Sequence, residues 1–278
     1  MASEPHVAHF FRPGHSLDLA AVSVSTSPLL LRHMAGKIRV RAAHLETILF
    51  LTAFGGIVGI FAYGVVADFL KATPWWRNLL LDLALGLGTG LFLNLLVSSR
   101  RTHNEMLLFV YGSIFLSSGL AGLLGLSPLF VNAIAGTFVA NASVRRYRVA
   151  AILSEGERLI LVLILVTFGA LWAIPSPEWR GFLLTAGLVG VAYFLLRLGG
   201  RWLAAFSIGK LAKTKATSLG FALLCQTSIA VALLIDFRLS FPSAADVHLL
   251  FVGMTLAWFL AVWPAYRFME HYLRGQIS

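Results

Sequence analysis

Polar residues interrupt the first apolar stretch of the chain. The sequence VSTSPLLL at 24–31 follows LDLAAV and precedes the basic segment RHMAGKIRVR, and its central residues are Thr26, Ser27 and Pro28. Proline removes a backbone donor and loosens the carbonyl one turn earlier, and an unsatisfied backbone group in lipid is costly. The stretch therefore predicts a broken helix.

A second apolar stretch is interrupted in the same way. The sequence ATSLGFALLCQTSIAVALLID at 216–236 contains Gln226, Thr227 and Ser228 in an otherwise apolar run. Interrupted helices in two corresponding parts of a transporter indicate a midplane site, because unwound backbone and half-helix ends there can face an ion. The alternative is that these hydroxyls bond to carbonyls of their own helix and bend it.

Arg197 is the cation that lies deepest in a predicted apolar segment, 180–207. A charge at that depth is paired or reaches a water-filled crevice, and Glu46 and Glu157 are the candidate partners in this charge network. The alternative is that the segment ends near Leu198, which would leave Arg197 at the membrane interface.

The chain has only 12 Asp and Glu residues, and most of them fall at the ends of predicted segments. These are Glu46, Asp68, Asp82, Glu105, Glu157, Asp236, Asp246 and Glu270. Asp82, about one turn inside its segment, is a candidate proton carrier, but a carboxylate that reaches the interface is the favoured interpretation.

The composition predicts an integral membrane protein. Of 278 residues, 58% are hydrophobic and 12% charged, whereas soluble domains have about 25% charged residues. We expect an all-α polytopic protein with a polar tail at 1–15, a transmembrane domain at 16–270 and a C-terminal tail at 271–278. About nine apolar segments are long enough to count as membrane segments: 16–32, 45–69, 77–98, 106–124, 127–143, 158–175, 180–207, 216–236 and 246–270.

The distribution of basic residues predicts the orientation. Alternate loops are strongly and weakly basic, which places the N-terminus outside and the C-terminus in the cytoplasm of a multi-pass protein of the cell membrane. The net charge of +10 is dispersed among these loops, so we do not expect nucleic acid as a partner.

Motifs of enzymes and of bound cofactors are not found in the sequence. It has no phosphate loop, nucleophile elbow or zinc spacing at a plausible site, so we predict a protein that is not an enzyme and that has no cofactor and no metal site. The small residues in GGIVGIFAYG (55–64) and LGLGTG (85–90) predict close helix packing.

Several strings, taken in order, resemble one family, the monovalent cation:proton antiporters of the sodium/hydrogen exchanger type. STSPLLL, its basic loop and LETILFL resemble the family's T-D-P motif, loop and E-S-x-x-N-D motif. Four further strings are similar to family helices or to its closing stretch: GLAGLLGLSPLFVNAIAGTFVAN (119–141), FLLRLGGRW (194–202), SLGFALLCQTSIAVALL (218–234) and WPAYRFMEHYLRGQ (263–276).

The resemblance implies a bundle in which two discontinuous helices cross at the midplane. Thr26, Ser27 and Pro28 would lie on the first crossing helix and Gln226, Thr227 and Ser228 on the second. It also implies that protons compete there with Na⁺ or K⁺, and that a rocking core exchanges them by alternating access.

The chain departs from the family where the ion would bind. Ser27 stands where the family usually has Asp, and Phe50 and Leu51 stand where its acidic pair would fall. The family's helices before the first crossing one are also absent, so the resemblance covers the C-terminal portion of that membrane domain. We expect weakened ion binding in a truncated antiporter-like bundle, as a homodimer or with a chain that supplies the missing helices. The alternatives are a non-transporting membrane scaffold or regulatory subunit and an unrelated solute carrier.

Overall fold

The fold is all-helical in the part of the chain that the computed structural model describes, residues 42–71, 73–98, 102–172, 179–212, 228–240 and 245–274. These residues form eight helices: α1 (Ala42–Leu70), α2 (Trp75–Ser98), α3 (His103–Leu123), α4 (Pro128–Ala142), α5 (Arg146–Leu171), α6 (Trp179–Ala212), α7 (Ser228–Ser240) and α8 (Ala245–Arg274). No strand occurs among them.

Four stretches of these helices are long and apolar enough to cross a membrane: Ala53–Leu70, Trp75–Ser98, His103–Leu123 and Gly181–Leu203. Shorter apolar stretches occupy Pro128–Ala142, Leu159–Leu171 and His248–Ala261. Large apolar side chains along these helices are exposed, including Leu95, Phe115 and Leu184. An exposed apolar surface on helices of this length is typical of an α-helical membrane protein.

The described residues fall into two compact units. The first holds 60–169 and 235–240, and in it α2, α3 and α4 pack against one another. The second holds described residues of 42–59, 170–234 and 241–274, and its main packing is α6 against α8.

Glycines explain how closely α2 and α4 approach. A Cβ on Gly86 would lie 2.7 Å from Ile134 Cβ, and one on Gly90 would lie 3.1 Å from the Ala135 carbonyl oxygen. In the second unit, a Cβ on Gly253 of α8 would lie 2.9 Å from the Ala186 carbonyl oxygen of α6. The small residues of 85–90 therefore serve helix packing, as the sequence predicted.

The turn between α3 and α4 is built from its sequence, GLSP. Gly125 has φ 68°, and the Leu126 amide donates to the Ala121 carbonyl at 2.8 Å, which ends α3 in a Schellman motif. Ser127 then caps α4, because its hydroxyl accepts from the Phe130 amide at 3.2 Å, and Pro128 fills the first helical position. This turn fixes the direction of the Ser127 side chain.

Candidate functional site

Asp82 is fully buried in the first unit. It lies about two turns into α2 from Trp75, and neither of its carboxylate oxygens accepts a hydrogen bond from a described residue. Its side chain is 0% exposed, and Asp68 of α1 and Asp236 of α7 lie near it, whereas the sequence favoured a carboxylate that reaches the interface.

Asp68, at the end of α1, is the nearest acidic neighbour of Asp82. Its side chain is 2% exposed, and one of its oxygens accepts a hydrogen bond from Lys71 Nζ at 2.9 Å. The carboxyl groups of Asp68 and Asp82 lie close enough for a hydrogen bond once a proton is present between them. Two carboxylates so placed repel each other unless a proton or a cation separates them.

Asp236, on α7, is the third buried carboxylate. Ser127 Oγ donates a hydrogen bond to Asp236 Oδ2 at 2.6 Å, and the buried Tyr63 hydroxyl lies near the same carboxylate. An O–H···O bond of this length is short, and when the carboxyl group is ionised it is charge-assisted and stronger than one between neutral groups. Asp236 is therefore held in place, whereas Asp82 has no such donor among the described residues.

The buried acid cluster, defined as Asp68, Asp82 and Asp236, contains more acid than base. Lys71 is the neighbouring cation among the residues that the structure describes, and its charge acts on both Asp82 and Asp236. If all three carboxylates were ionised, Lys71 would leave two negative charges unbalanced. Uncompensated charge is costly in a medium of low dielectric constant, so the cluster favours uptake of a proton or a cation.

The cluster draws on the ends of several helices that the sequence predicted to lie on one side of the membrane. The α1–α2 loop supplies Lys71, the α3–α4 turn supplies Ser127 and the end of α7 supplies Asp236. These three connections are loops that carry few basic residues in the alternation described above. The contacts among them require those helix ends to meet.

Local bonds shape the α1–α2 loop beside the cluster. The Arg77 amide donates to the Pro74 carbonyl at 3.0 Å, and Asn78 Nδ2 donates to Thr73 Oγ1 at 2.6 Å. Buried Asn78 lies one turn before Asp82 on α2. Thr73 and Pro74 are thus tied to the first turns of α2, the helix that carries Asp82.

Five of the six residues predicted for crossing helices, Thr26, Ser27, Pro28, Gln226 and Thr227, lie outside the described residues. Ser228 is the first described residue of α7. The crossing of two interrupted helices stays a prediction.

The predicted charge network is described in part. Arg197 is 5% exposed on α6, which continues to Ala212. The apolar stretch of that helix runs from Gly181 to Leu203, and the position of Arg197 relative to the membrane interface stays a prediction. Arg201 lies one turn further along α6 and near Arg197, and Tyr193 also lies near Arg201. Glu157 is exposed on α5, and Glu46 lies on α1 with its side chain outside the described part.

The acid cluster and the other acidic residues do not form a set of metal ligands in the described part of the chain. Among the described residues, no three His, Cys, Asp or Glu side chains are placed to ligate one metal ion. His103, at the start of α3, and Glu155, on α5, form an exposed pair with Nε2 and Oε2 3.0 Å apart.

The sequence shows the three aspartates of the acid cluster but not that they lie close together in the fold. In the sequence, Asp68 and Asp236 lie at the ends of predicted segments, where a carboxylate at the membrane interface is the common case. The signal that identifies them is topological, because the charge pattern places the ends that carry them on the same side as the GLSP turn.

The fold and site define an all-helical chain with candidate membrane-spanning helices and a buried acid cluster. Comparisons with protein-family models, curated proteins and solved structures give no match to this chain.

Proposed function

We propose that the protein is a secondary transporter that exchanges a monovalent cation, Na⁺ or K⁺, for protons by alternating access. In this proposal it is a multi-pass protein of the cell membrane, with its N-terminus outside. Asp82 is the group that binds either a proton or the cation. Lys71 offsets part of the negative charge, Asp68 supplies a second carboxyl group, and Ser127 holds the nearby Asp236 in place.

The observation that carries the proposal is the burial of Asp82 without a hydrogen-bond donor among the described residues. An ionisable residue inside a membrane protein is costly, and such residues mark ion pathways and proton relays. The Asp68 carboxyl beside it supplies a second oxygen donor for a partly dehydrated cation. Only a group that releases its proton when it binds the cation, and releases the cation when it binds a proton, couples the two fluxes.

The acid cluster offers carboxyl groups to replace those that the chain lacks at the antiporter family's ion-binding positions. Ser27 cannot exchange a cation for a proton, and Phe50 and Leu51 are apolar. Carboxylates on α1, α2 and α7 can perform that exchange at a different place in the chain. The antiporter relationship itself remains part of the proposal.

The test is ion flux in reconstituted vesicles. The full chain is reconstituted into liposomes that enclose a pH-sensitive dye, and Na⁺, K⁺ or choline is then added outside. We expect Na⁺ or K⁺, but not choline, to drive proton movement. Asp82→Asn should reduce this signal to that of protein-free vesicles, because the amide is nearly isosteric but cannot bind a proton and a cation in turn.

Glu155→Gln is the matched control, since it removes one carboxylate from an exposed position. It should transport as the unsubstituted protein does. No cation-dependent proton signal at any pH would reject the transporter and favour the non-transporting scaffold. Full exchange by Asp82→Asn would reject the assigned carrier.

A further inference from the structure

A second feature of the first unit is a cavity of about 370 Å³ formed by residues of α2, α3, α4 and α5. Its wall is mostly aliphatic, with Leu93, Val110, Val139 and Leu153 among the lining residues. Ligand cavities are commonly about 300–1,000 Å³, apolar, and provided with a few polar groups that orient the ligand. The acid cluster contributes none of the lining residues.

Ser113 supplies one of those polar groups. It lines the cavity on α3, it is 4% exposed, and its hydroxyl has no hydrogen-bond partner among the described residues. Other helical hydroxyls donate to carbonyls of their own helix, as Thr137 does to Ala133 at 2.8 Å and Thr255 to Phe251 at 2.7 Å. A buried hydroxyl left unpaired costs free energy, so this position favours a ligand with an acceptor atom.

Arg146 supplies a charged group, and Tyr147 an aromatic ring beside it, at the edge of the cavity. Both line it, both are exposed, and the Arg146 guanidinium lies 5.0 Å from the centre of the Tyr147 ring. Arg145 and Arg148 flank them, and Arg145 Nη1 donates to the Val97 carbonyl at 3.1 Å. Basic pockets between membrane helices bind the head groups of anionic lipids.

Small residues leave the apolar part of the cavity open. Gly136 on α4 lines it, and a Cβ at this position would meet nothing within 4 Å. Ala135, Ala140 and Ala150 also line it. A Cβ at Gly136 would therefore have free space, so this position is suited to a substitution that fills the cavity.

We propose that the cavity binds one acyl chain of an anionic phospholipid, with the phosphate at Arg146 and Tyr147 and an ester carbonyl accepting from the Ser113 hydroxyl. The match is one of charge, polarity and shape. Arg146 complements the phosphate, the Ser113 hydroxyl complements the ester, and the aliphatic wall complements the chain. The site is separate from the proposed transport function.

The test is titration of the purified full chain in detergent with dioleoyl phosphatidylglycerol or dioleoyl phosphatidylcholine, followed by native mass spectrometry. We expect a one-to-one adduct with phosphatidylglycerol at lower lipid concentration than with phosphatidylcholine. Arg146→Ala should weaken the first by about fivefold, the effect of one basic residue on anionic lipid. Gly136→Leu should remove the adduct with either lipid.

Two matched controls separate this site from general lipid binding. Arg148→Ala removes a neighbouring arginine that does not line the cavity, and Gly119→Leu adds the same side chain at an exposed glycine of α3 with free space around it. Both should bind phosphatidylglycerol as the unsubstituted protein does. Equal binding of the two lipids, or equal losses in the variants and their controls, would overturn the proposal.

Two further ligands test the individual contacts. The ether-linked analogue of phosphatidylglycerol lacks the carbonyl and should bind more weakly than the ester, whereas Ser113→Ala should bind the two alike. sn-Glycerol 3-phosphate has the anionic group without a chain and should not displace the lipid. Displacement by it would assign the site to a soluble phosphate, and equal binding of ester and ether by the unsubstituted protein would reject the Ser113 contact.

Discussion

The Ser127 hydroxyl joins two helices, because it accepts from the Phe130 amide at the start of α4 and donates to Asp236 of α7 at 2.6 Å. Ser127 is 1% exposed and Asp236 7% exposed. A serine at this position has two uses that alanine lacks, helix capping and a charge-assisted bond to a buried carboxylate.

Ser127→Ala should therefore lower the free energy of unfolding by about 1–3 kcal/mol, the usual cost of leaving a buried acceptor unpaired together with a lost cap. Thermal unfolding of the purified protein in detergent measures the change. Ser154→Ala is the control, because the Ser154 hydroxyl is exposed and donates to the Ala151 carbonyl. A loss as large in the control would assign the effect to serine substitution in general.

The coupling of Ser127 with Asp236 is tested by a double-mutant cycle. With Asp236→Asn already present, Ser127→Ala should cost less, because the charge that it solvates is gone, and the interaction energy should be about 0.5–3 kcal/mol. Additive effects of the two substitutions would contradict the bond as a stabilising contact.

Asp82→Asn should separate stability from function. The substitution removes a buried carboxylate that accepts no hydrogen bond from a described residue. The melting temperature should therefore stay the same or rise while exchange is lost, as expected where a functional site is destabilising. Melting curves of both forms in the same detergent, at the pH of the flux assay, provide the measurement. A marked fall in melting temperature would indicate that Asp82 is a structural residue.

Local patterns in the sequence predicted part of this fold well. The apolar lengths of α2 and α3, and the packing use of Gly86 and Gly90, follow from segment hydrophobicity and small-residue spacing. α5 was harder, because its apolar part covers only Leu159–Leu171 while the helix begins at Arg146. A hydropathy window detects the apolar half and misses the polar turns that precede it.

The acid cluster depends on contacts that no local pattern contains. Asp236 is far from Asp68 and Asp82 in sequence, and a carboxylate at a segment end is exposed or buried according to what packs over it. Ser127 is recognisable as a helix cap from its place before Pro128. Its second partner, Asp236, lies 109 residues away and could be found only from the folded chain.

Gly125→Ala should destabilise the turn that orients Ser127. Gly125 has φ 68°, and an L-residue in this left-handed conformation costs about 1–2 kcal/mol. Gly122→Ala is the control, since it is helical and its added Cβ would meet nothing within 4 Å. Thermal unfolding should separate the two variants, and equal melting temperatures would show that the positive φ is not a constraint on stability.

The packing of α2 on α4 is tested by two glycines on the same helix. A Cβ on Gly86 would lie 2.9 Å from the Val131 carbonyl oxygen, whereas one on Gly88 would meet nothing within 4 Å. Gly86→Ala should therefore cost about 1–3 kcal/mol because the two backbones must separate. Gly88→Ala should be neutral or stabilise by up to about 1 kcal/mol, because alanine is the better helix former.

A loss of stability for Gly86→Ala together with no loss for Gly88→Ala would indicate contact with α4. Helix propensity alone would change the stability of both variants in the same direction. Melting temperatures of the two variants and of Gly86→Ala combined with Ile134→Ala complete the test. Ile134 Cβ would lie 2.7 Å from the new Cβ, and Ile134 Cγ2 2.8 Å from it. Ile134→Ala removes Cγ2 but leaves the Cβ at 134 and the Val131 carbonyl in place. Measured against Ile134→Ala alone, Gly86→Ala should therefore cost less, and an unchanged cost would assign the loss to those two remaining contacts.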